Sequence, residues 1–358
     1  MTLPELKDDY GFPLTPDQHQ FYQQYSSYDT QLKRKWDKFL TKHSSPDDYF
    51  KGAYRRNCST LKSLCRQGIP MEYRKPVYLR ITGALSRQLS NKTYYQNLCT
   101  KNHLRRSTAS DQIDLDLDRT FPEHESFQTD VYRVRLRRVL TSFAYKDRDI
   151  GYVQSLNYLV GMLLLVMEEE QAFWVLVAVI EDYLPREYFS SNLLSVMTDQ
   201  RVLSSLCQSK LGSEFMDHLA NCGCPLDLIT TDWFMCLFTK TLTSHCVFRI
   251  WDAFFYEGSK IIFRFALAIL KLSKQRILEA TDIVKISAII NSFSTFVYDP
   301  NVLSKVAFNK IGSFPMRVVS ELRHSHRGSV RNDLLKSQQM REKMKKKACP
   351  VPPQPMVS

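Results

Sequence analysis

Apolar residues recur along most of this chain at the spacing of helices. Leu136, Val139, Leu140 and Phe143 form one stripe, with Arg133, Arg135, Arg137 and Arg138 spread around the other side. Val247, Ile250, Trp251, Phe254 and Phe255 form a second stripe at i, i+3, i+4, i+7 and i+8. Two segments, Ala172 to Ile180 and Ile261 to Leu272 (Arg264 and Lys271 apart), are apolar all round, the pattern of helices inside a large helical core. Asn-Gly and Asp-Gly pairs are absent, so the strongest short hairpin signal is missing. The pattern predicts an all-α protein.

Its organisation follows from where the pattern breaks. Residues 1–56, interrupted by Pro4, Pro13, Pro16 and Pro46, read as a loosely packed, partly ordered lead-in. The aromatic residues Tyr10, Phe12, Phe21, Tyr22 and Tyr25 are expected to dock part of it onto the body. Residues 57–320 read as the helical domain. A proline-and-charge break from Glu181 to Glu187 divides it into halves of 57–185 and 186–320. Beyond residue 320 the apolar periodicity fades, and 321–358 read as a basic, proline-rich and flexible tail.

Composition narrows the class. The 358 residues are 44% apolar, enough for a sizeable core. The longest apolar run, Tyr158 to Met167, is cut off by Glu168, Glu169 and Glu170, too short for a membrane span. The polar start, without an apolar leader, and nine scattered cysteines predict a cytoplasmic protein with reduced thiols. The net charge is +12, of which +7 lies beyond residue 322: nine Lys or Arg against Asp333 and Glu342. Because the excess sits in the tail and not on a folded face, nucleic-acid binding is not expected. His218, Cys222 and Cys224 lack a fourth ligand at useful spacing, so they read as structural and no metal site is expected.

Two short polar interruptions carry candidate chemistry. In Ile113 to Pro122, Pro122 must end a short helix, leaving Arg119 on its last turn with Asp116 three residues earlier on the same face. Thr108 or Ser110 is expected to cap that helix. Gln154 follows the loop Lys146 to Ile150 and opens the next apolar helix. From spacing alone, Asp116 and Arg119 read as an ordinary helical ion pair and Gln154 as a surface residue. An arginine and a glutamine are nevertheless the pair that GTP hydrolysis on a switch protein needs: one neutralises charge on the transferring phosphoryl, the other orients water.

Ordered motifs give these residues a context. Gly68-Ile69-Pro70 followed by Arg74-x-x-x-Tyr78 is similar to the opening motif of TBC domains, the Rab GTPase-activating domains. Ile113-x-x-Asp116-x-x-Arg119 with Thr120-Phe121-Pro122, and Tyr152-x-Gln154 with Asn157, resemble their second and third motifs. Trp233-Phe234, Arg249-Ile250-Trp251-Asp252 and Phe255-x-Glu257-Gly258 resemble the second half of the family in the right order. The lead-in Tyr10-Gly11-Phe12 is similar to that of the growth hormone-regulated TBC protein subfamily.

The resemblance implies a TBC-type helical fold of two subdomains and a GTPase activator acting in trans on a GTP-bound Rab, without turnover of its own. Arg119 and Gln154 would be catalytic, with Asp116 and Tyr152 bracing them and Arg74, Tyr78 and Asn157 holding the frame. No cofactor is implied for this chain; GTP and magnesium would belong to the partner. The resemblance further implies a role in vesicle trafficking, with peripheral contact with endomembranes.

This chain departs from the family pattern at Tyr78, usually Trp, and at Val153, Ser155 and Leu156, where Cys, Gly and Met are usual. A serine in place of that glycine is expected to displace Gln154 or hold a partner further off if the position needs an unusual dihedral. The alternative is therefore a non-catalytic Rab-binding or scaffold protein. In the tail, Lys343 to Lys347 can meet anionic lipid or remain a solvated tail. Lys347-x-x-Pro350-x-x-Pro353 fits a Src homology 3 ligand pattern.

Overall fold

The computed structural model describes residues 6–41, 58–102, 106–185, 187–190 and 192–348. Among these there is no strand, only an isolated bridge between Lys7 and Pro13. The lead-in carries α1 (Pro16–Thr41), and the first half comprises α2 (Ser59–Gln67), α3 (Met71–Ile81), α4 (Ala84–Ser90), α5 (Tyr94–Asn102), α6 (Thr108–Leu117), α7 (Asp130–Lys146), α8 (Leu156–Leu164) and α9 (Glu169–Ala178). The second comprises α10 (Leu194–Leu211), α11 (Ser213–Asn221), α12 (Leu226–Met235), α13 (Ser244–Glu257), α14 (Lys260–Glu279), α15 (Ile283–Asn291), α16 (Phe293–Phe296), α17 (Pro300–Lys305) and α18 (Met316–Ala348). No described helix is long and apolar enough to cross a membrane.

Each half is organised around one helix. In the first, α7 buries Leu136, Val139, Leu140 and Phe143 and is flanked by α5, α6, α8 and α9. In the second, α14 is buried from Ile261 through Leu270, as its all-round apolar sequence predicts, against α10 and α13. Arg264 is buried with the rest, because its guanidinium donates to the carbonyls of Ala307 (2.7 Å) and Gly312 (3.0 Å).

The halves meet where α13 packs on α2 and α3. There Glu257, its side chain 3% exposed, receives Arg66 from α2 at 2.5 and 2.9 Å and Lys260 at 2.9 Å. Burial alone would raise this carboxyl, but the hydrogen bonds from Arg66 and Lys260 outweigh it and hold it at about 2, against an ordinary 4.5. A depressed folded pKa stabilises fully above the unfolded value, and that contribution is lost as pH falls from 4.5 toward 2. Acid unfolding monitored by circular dichroism should therefore show a shallower limb across that window in Glu257→Gln than in the wild type.

The lead-in and the segment beyond residue 320 both carry a long helix that the apolar pattern does not mark. The lead-in contains the 26-residue helix α1, with Trp36 fully buried and donating from its indole to the Gly68 carbonyl at 2.9 Å. The aromatic cluster docks it: Tyr22 donates to the Tyr298 carbonyl (2.8 Å) and Tyr25 accepts from Arg249 (2.7 Å). At the other end, the boundary expected near 320 falls inside α18, which runs on to Ala348. Its docking onto α10 is largely polar, which is why apolar periodicity fades there. Arg323 pairs with buried Asp199 through two contacts of 2.7 Å, and His326 meets the Ser205 hydroxyl at 2.9 Å. Val319 and Val330 are the buried apolar points. Of Lys347-x-x-Pro350-x-x-Pro353, both prolines lie outside the described residues.

Candidate functional site

Helix α6 is capped by Ser107, just before the expected candidates Thr108 and Ser110. The Ser107 hydroxyl accepts from the Ser110 amide (3.1 Å) and the Ser110 hydroxyl accepts from the Ser107 amide (2.8 Å). Ile113 anchors the helix inward, fully buried. At its end the chain reverses through Phe121, whose φ of 47° is left-handed and unusual for a bulky residue. Phe12, Phe127 and Tyr158 surround that ring with centroids 5.1, 5.1 and 5.3 Å away. Gly161 of α8 makes room, since a Cβ there would lie 3.0 Å from both Phe121 and Phe127. Arg119 stands just before the reversal. Its side chain is 60% exposed, and Nη1 lies 3.7 Å from Asp116 Oδ1, a loose contact.

Gln154 lies on the turn entering α8, exposed, with no side-chain hydrogen bond to the described residues. One buried network ties this turn to the end of α6. The Tyr152 hydroxyl donates to Asp116 Oδ2 (2.7 Å), and the Asn157 amide donates to the Thr120 hydroxyl (2.8 Å). Thr120 in turn donates to the Asp116 carbonyl (2.7 Å), while Asn157 Oδ1 accepts the Ser155 amide (3.1 Å). Burial, reinforced by the bond to Asp116, pushes the Tyr152 phenol well above its ordinary range, so it remains a donor. Tyr158 adds a bond from its hydroxyl to the Arg119 carbonyl (3.1 Å). Arg119 and Gln154 thus stand on turns tied to each other, Gln154 with its side chain exposed and Arg119 with only its loose contact to Asp116.

Ser155 has φ 121° and ψ −30°, in the region that favours glycine, and its buried hydroxyl has no partner. Both features cost free energy, so Ser155→Gly is expected to stabilise the fold by about 1–2 kcal/mol in urea unfolding. Ser155→Ala, which keeps the dihedral, should recover less.

Arg74 and Tyr78 are not at this site but at the junction of the halves, around fully buried Asp252 of α13. Arg74 donates to both carboxylate oxygens (3.1 and 3.2 Å), Tyr78 to Oδ1 (2.5 Å) and the Ile69 amide to Oδ2 (2.8 Å). The tyrosine in place of tryptophan therefore has a partner for its hydroxyl. Sequence reasoning passed over Asp252, Thr120 and Tyr158 as site residues. The available signal for Asp252 and Thr120 was their place inside the family-like motifs, where neither was given a role; for Tyr158 it was only proximity to a motif. His218 Nε2 lies 3.5 Å from Cys222 Sγ, and among the described residues no group of three or more His, Cys, Asp or Glu converges as a metal site.

This is a helical domain presenting an exposed arginine and glutamine from two turns locked to each other. The family description that matches, over residues 71–278, is the Rab-GTPase-TBC domain. The chain is 40% identical over 277 residues to mouse TBC1 domain family member 2A, covering 76% of this chain and 30% of that protein. It is 37% identical over 304 residues to human TBC1 domain family member 2B, covering 83% and 32%. It thus spans about a third of the length of these curated relatives. Among solved structures, the flagellar RabGAP TBC domain of Chlamydomonas superposes with a TM-score of 0.73 at 30% identity, covering 86% of this chain and all of that one. The chain belongs to the Rab-GTPase-TBC domain family.

Proposed function

We propose that this chain accelerates GTP hydrolysis on a Rab-type GTPase by supplying Arg119 and Gln154 in trans. The observation that carries the reading is the buried Asp116–Tyr152 and Thr120–Asn157 pairing, which ties the two turns together while leaving Gln154 exposed and Arg119 held only by a loose 3.7 Å contact with Asp116. Arg119 would neutralise charge developing on the γ-phosphoryl, and Gln154 would orient the attacking water; magnesium and nucleotide stay with the partner. The relatives' membership of the same family and the RabGAP title of the Chlamydomonas structure support the same class of activity.

A second reading, a Rab-binding or scaffold module without catalysis, is favoured by one observation, the strained Ser155 beside Gln154. Single-turnover GTP hydrolysis across a panel of GTP-loaded Rabs separates the two. Acceleration of one or a few Rabs by the wild type, lost in Gln154→Ala, supports the activator and identifies its substrate. Binding without acceleration, with activity appearing sharply in Ser155→Gly, supports the module.

The basic run from Lys343 to Lys347, at the end of α18, would add contact with anionic lipid at about 1 kcal/mol per basic residue near the surface. That contact would place the protein at the endomembranes where it acts in vesicle trafficking.

A further inference from the structure

The loop that follows Arg119 is held by residues outside the family-matched region of 71–278. Residues 6–14 form a tight turn built on Asp8. Its Oδ1 accepts the amides of Tyr10 and Phe12 (both 2.9 Å), its own amide donates to the Phe12 carbonyl (2.9 Å), and Leu14 closes onto the Leu6 carbonyl (2.8 Å).

One side of this turn grips the start of α13. Ser244 donates to the Asp8 carboxylate, the Tyr10 ring lies 4.5 Å from Phe248 and 5.3 Å from His245, and the Tyr10 hydroxyl accepts from Arg74. The other side grips the loop. His124 Nε2 donates to the Tyr10 carbonyl (2.8 Å), a tautomer set by the Ser126 amide donating to Nδ1 (3.2 Å). Lys7 pairs with Glu125 at 2.6 Å, and the Phe12 ring packs edge-on against Phe121 (5.1 Å) and His124 (4.7 Å). Gly11 permits the approach: its φ is +94°, and a Cβ there would lie 2.9 Å from His124 Nε2.

We propose that Asp8 to Phe12 act as positioning residues for Arg119. They clamp the loop 121–125 against α13 and so fix the direction in which the turn presents the guanidinium. The proposal rests on the reading of Arg119 as the catalytic arginine. Its physical basis is Phe121. A bulky residue at positive φ persists only where its surroundings over-determine it, and Phe12 is the one ring of its cage contributed by the lead-in. Without Phe12 the reversal relaxes, and the side chain one turn away loses its alignment. Misplacement by about 1 Å is worth on the order of 10²-fold in rate.

The test compares Phe12→Ala, Phe12→Leu and Arg119→Ala with wild type, as the full chain, in single-turnover hydrolysis against a responsive GTP-loaded Rab. Amide exchange is followed at Thr120, His124 and Phe127. Phe12→Ala should lower the maximal rate by about 10–100-fold while changing the half-saturating concentration by less than about threefold. Exchange should quicken at those three amides and stay unchanged in α14, and Phe12→Leu should recover most of the rate. A maximal rate left intact in Phe12→Ala, while Arg119→Ala is inactive, overturns the positioning role alone. So does a loss of rate accompanied by uniformly faster exchange. A wild type without activity, or activity that survives Arg119→Ala, overturns the reading of the site and this proposal with it.

Discussion

Arg119→Ala is expected to cut the stimulated hydrolysis rate of the partner GTPase by about 10³–10⁵, equivalent to roughly 4–7 kcal/mol of barrier. The size follows from the proposed role: the guanidinium would meet charge that exists only in the transition state, in a site closed to water by the partner, so nothing else would compensate for its loss. Folding stability should barely move. The side chain is 60% exposed and its contact with Asp116 is 3.7 Å long, an interaction of the kind worth about 0–1 kcal/mol. Arg119→Lys should recover little, because an ammonium cannot reproduce the planar fork on phosphate oxygens. Single-turnover kinetics together with thermal unfolding of the same samples check both halves of the expectation. A variant that loses activity and stability together would show that Arg119 holds the fold.

Asp252→Ala is expected to have the opposite signature, a loss of about 3–5 kcal/mol of stability from a buried residue that makes no contact with Arg119 or Gln154. Asp252 is fully buried and accepts from Arg74, Tyr78 and the Ile69 amide. Removing the carboxylate leaves a buried guanidinium without its counter-charge and a phenol and an amide without acceptors. Because these donors come from α3 and its preceding turn while Asp252 belongs to α13, the damage should appear at the junction of the two halves. Denaturant unfolding would register it as a lower midpoint. A midpoint within about 0.5 kcal/mol of wild type would remove Asp252 as the organising residue of that junction.

The elements were legible in the sequence wherever a helix buries an apolar face. The stripes of α7 and α13 and the all-round apolar α14 lie where the 3.6-residue period puts them. The helix α18, which runs past residue 320, was not legible because it docks through Arg323 and His326, polar residues that carry no apolar period. The cap of α6 falls on Ser107 and not on Thr108 or Ser110 for a related reason: all three are good caps, and only backbone geometry selects among them.

The site divides in the same way. By itself the sequence determined that this is an all-helical chain, and its ordered motifs picked out Arg119 and Gln154 with their flanking residues. Helical period and motif order are short-range properties, written within a few residues of where they apply. Only the tertiary structure decided that Tyr152 pairs with Asp116 and Asn157 with Thr120, that Asp252 gathers Arg74 and Tyr78, and that Asp8 to Phe12 reach across to the loop after Arg119. It also revealed the positive φ at Ser155. These are contacts between segments far apart along the chain, or a dihedral imposed by them. Their energies exist only once burial has removed the water that would otherwise satisfy each polar group, so no local pattern records them.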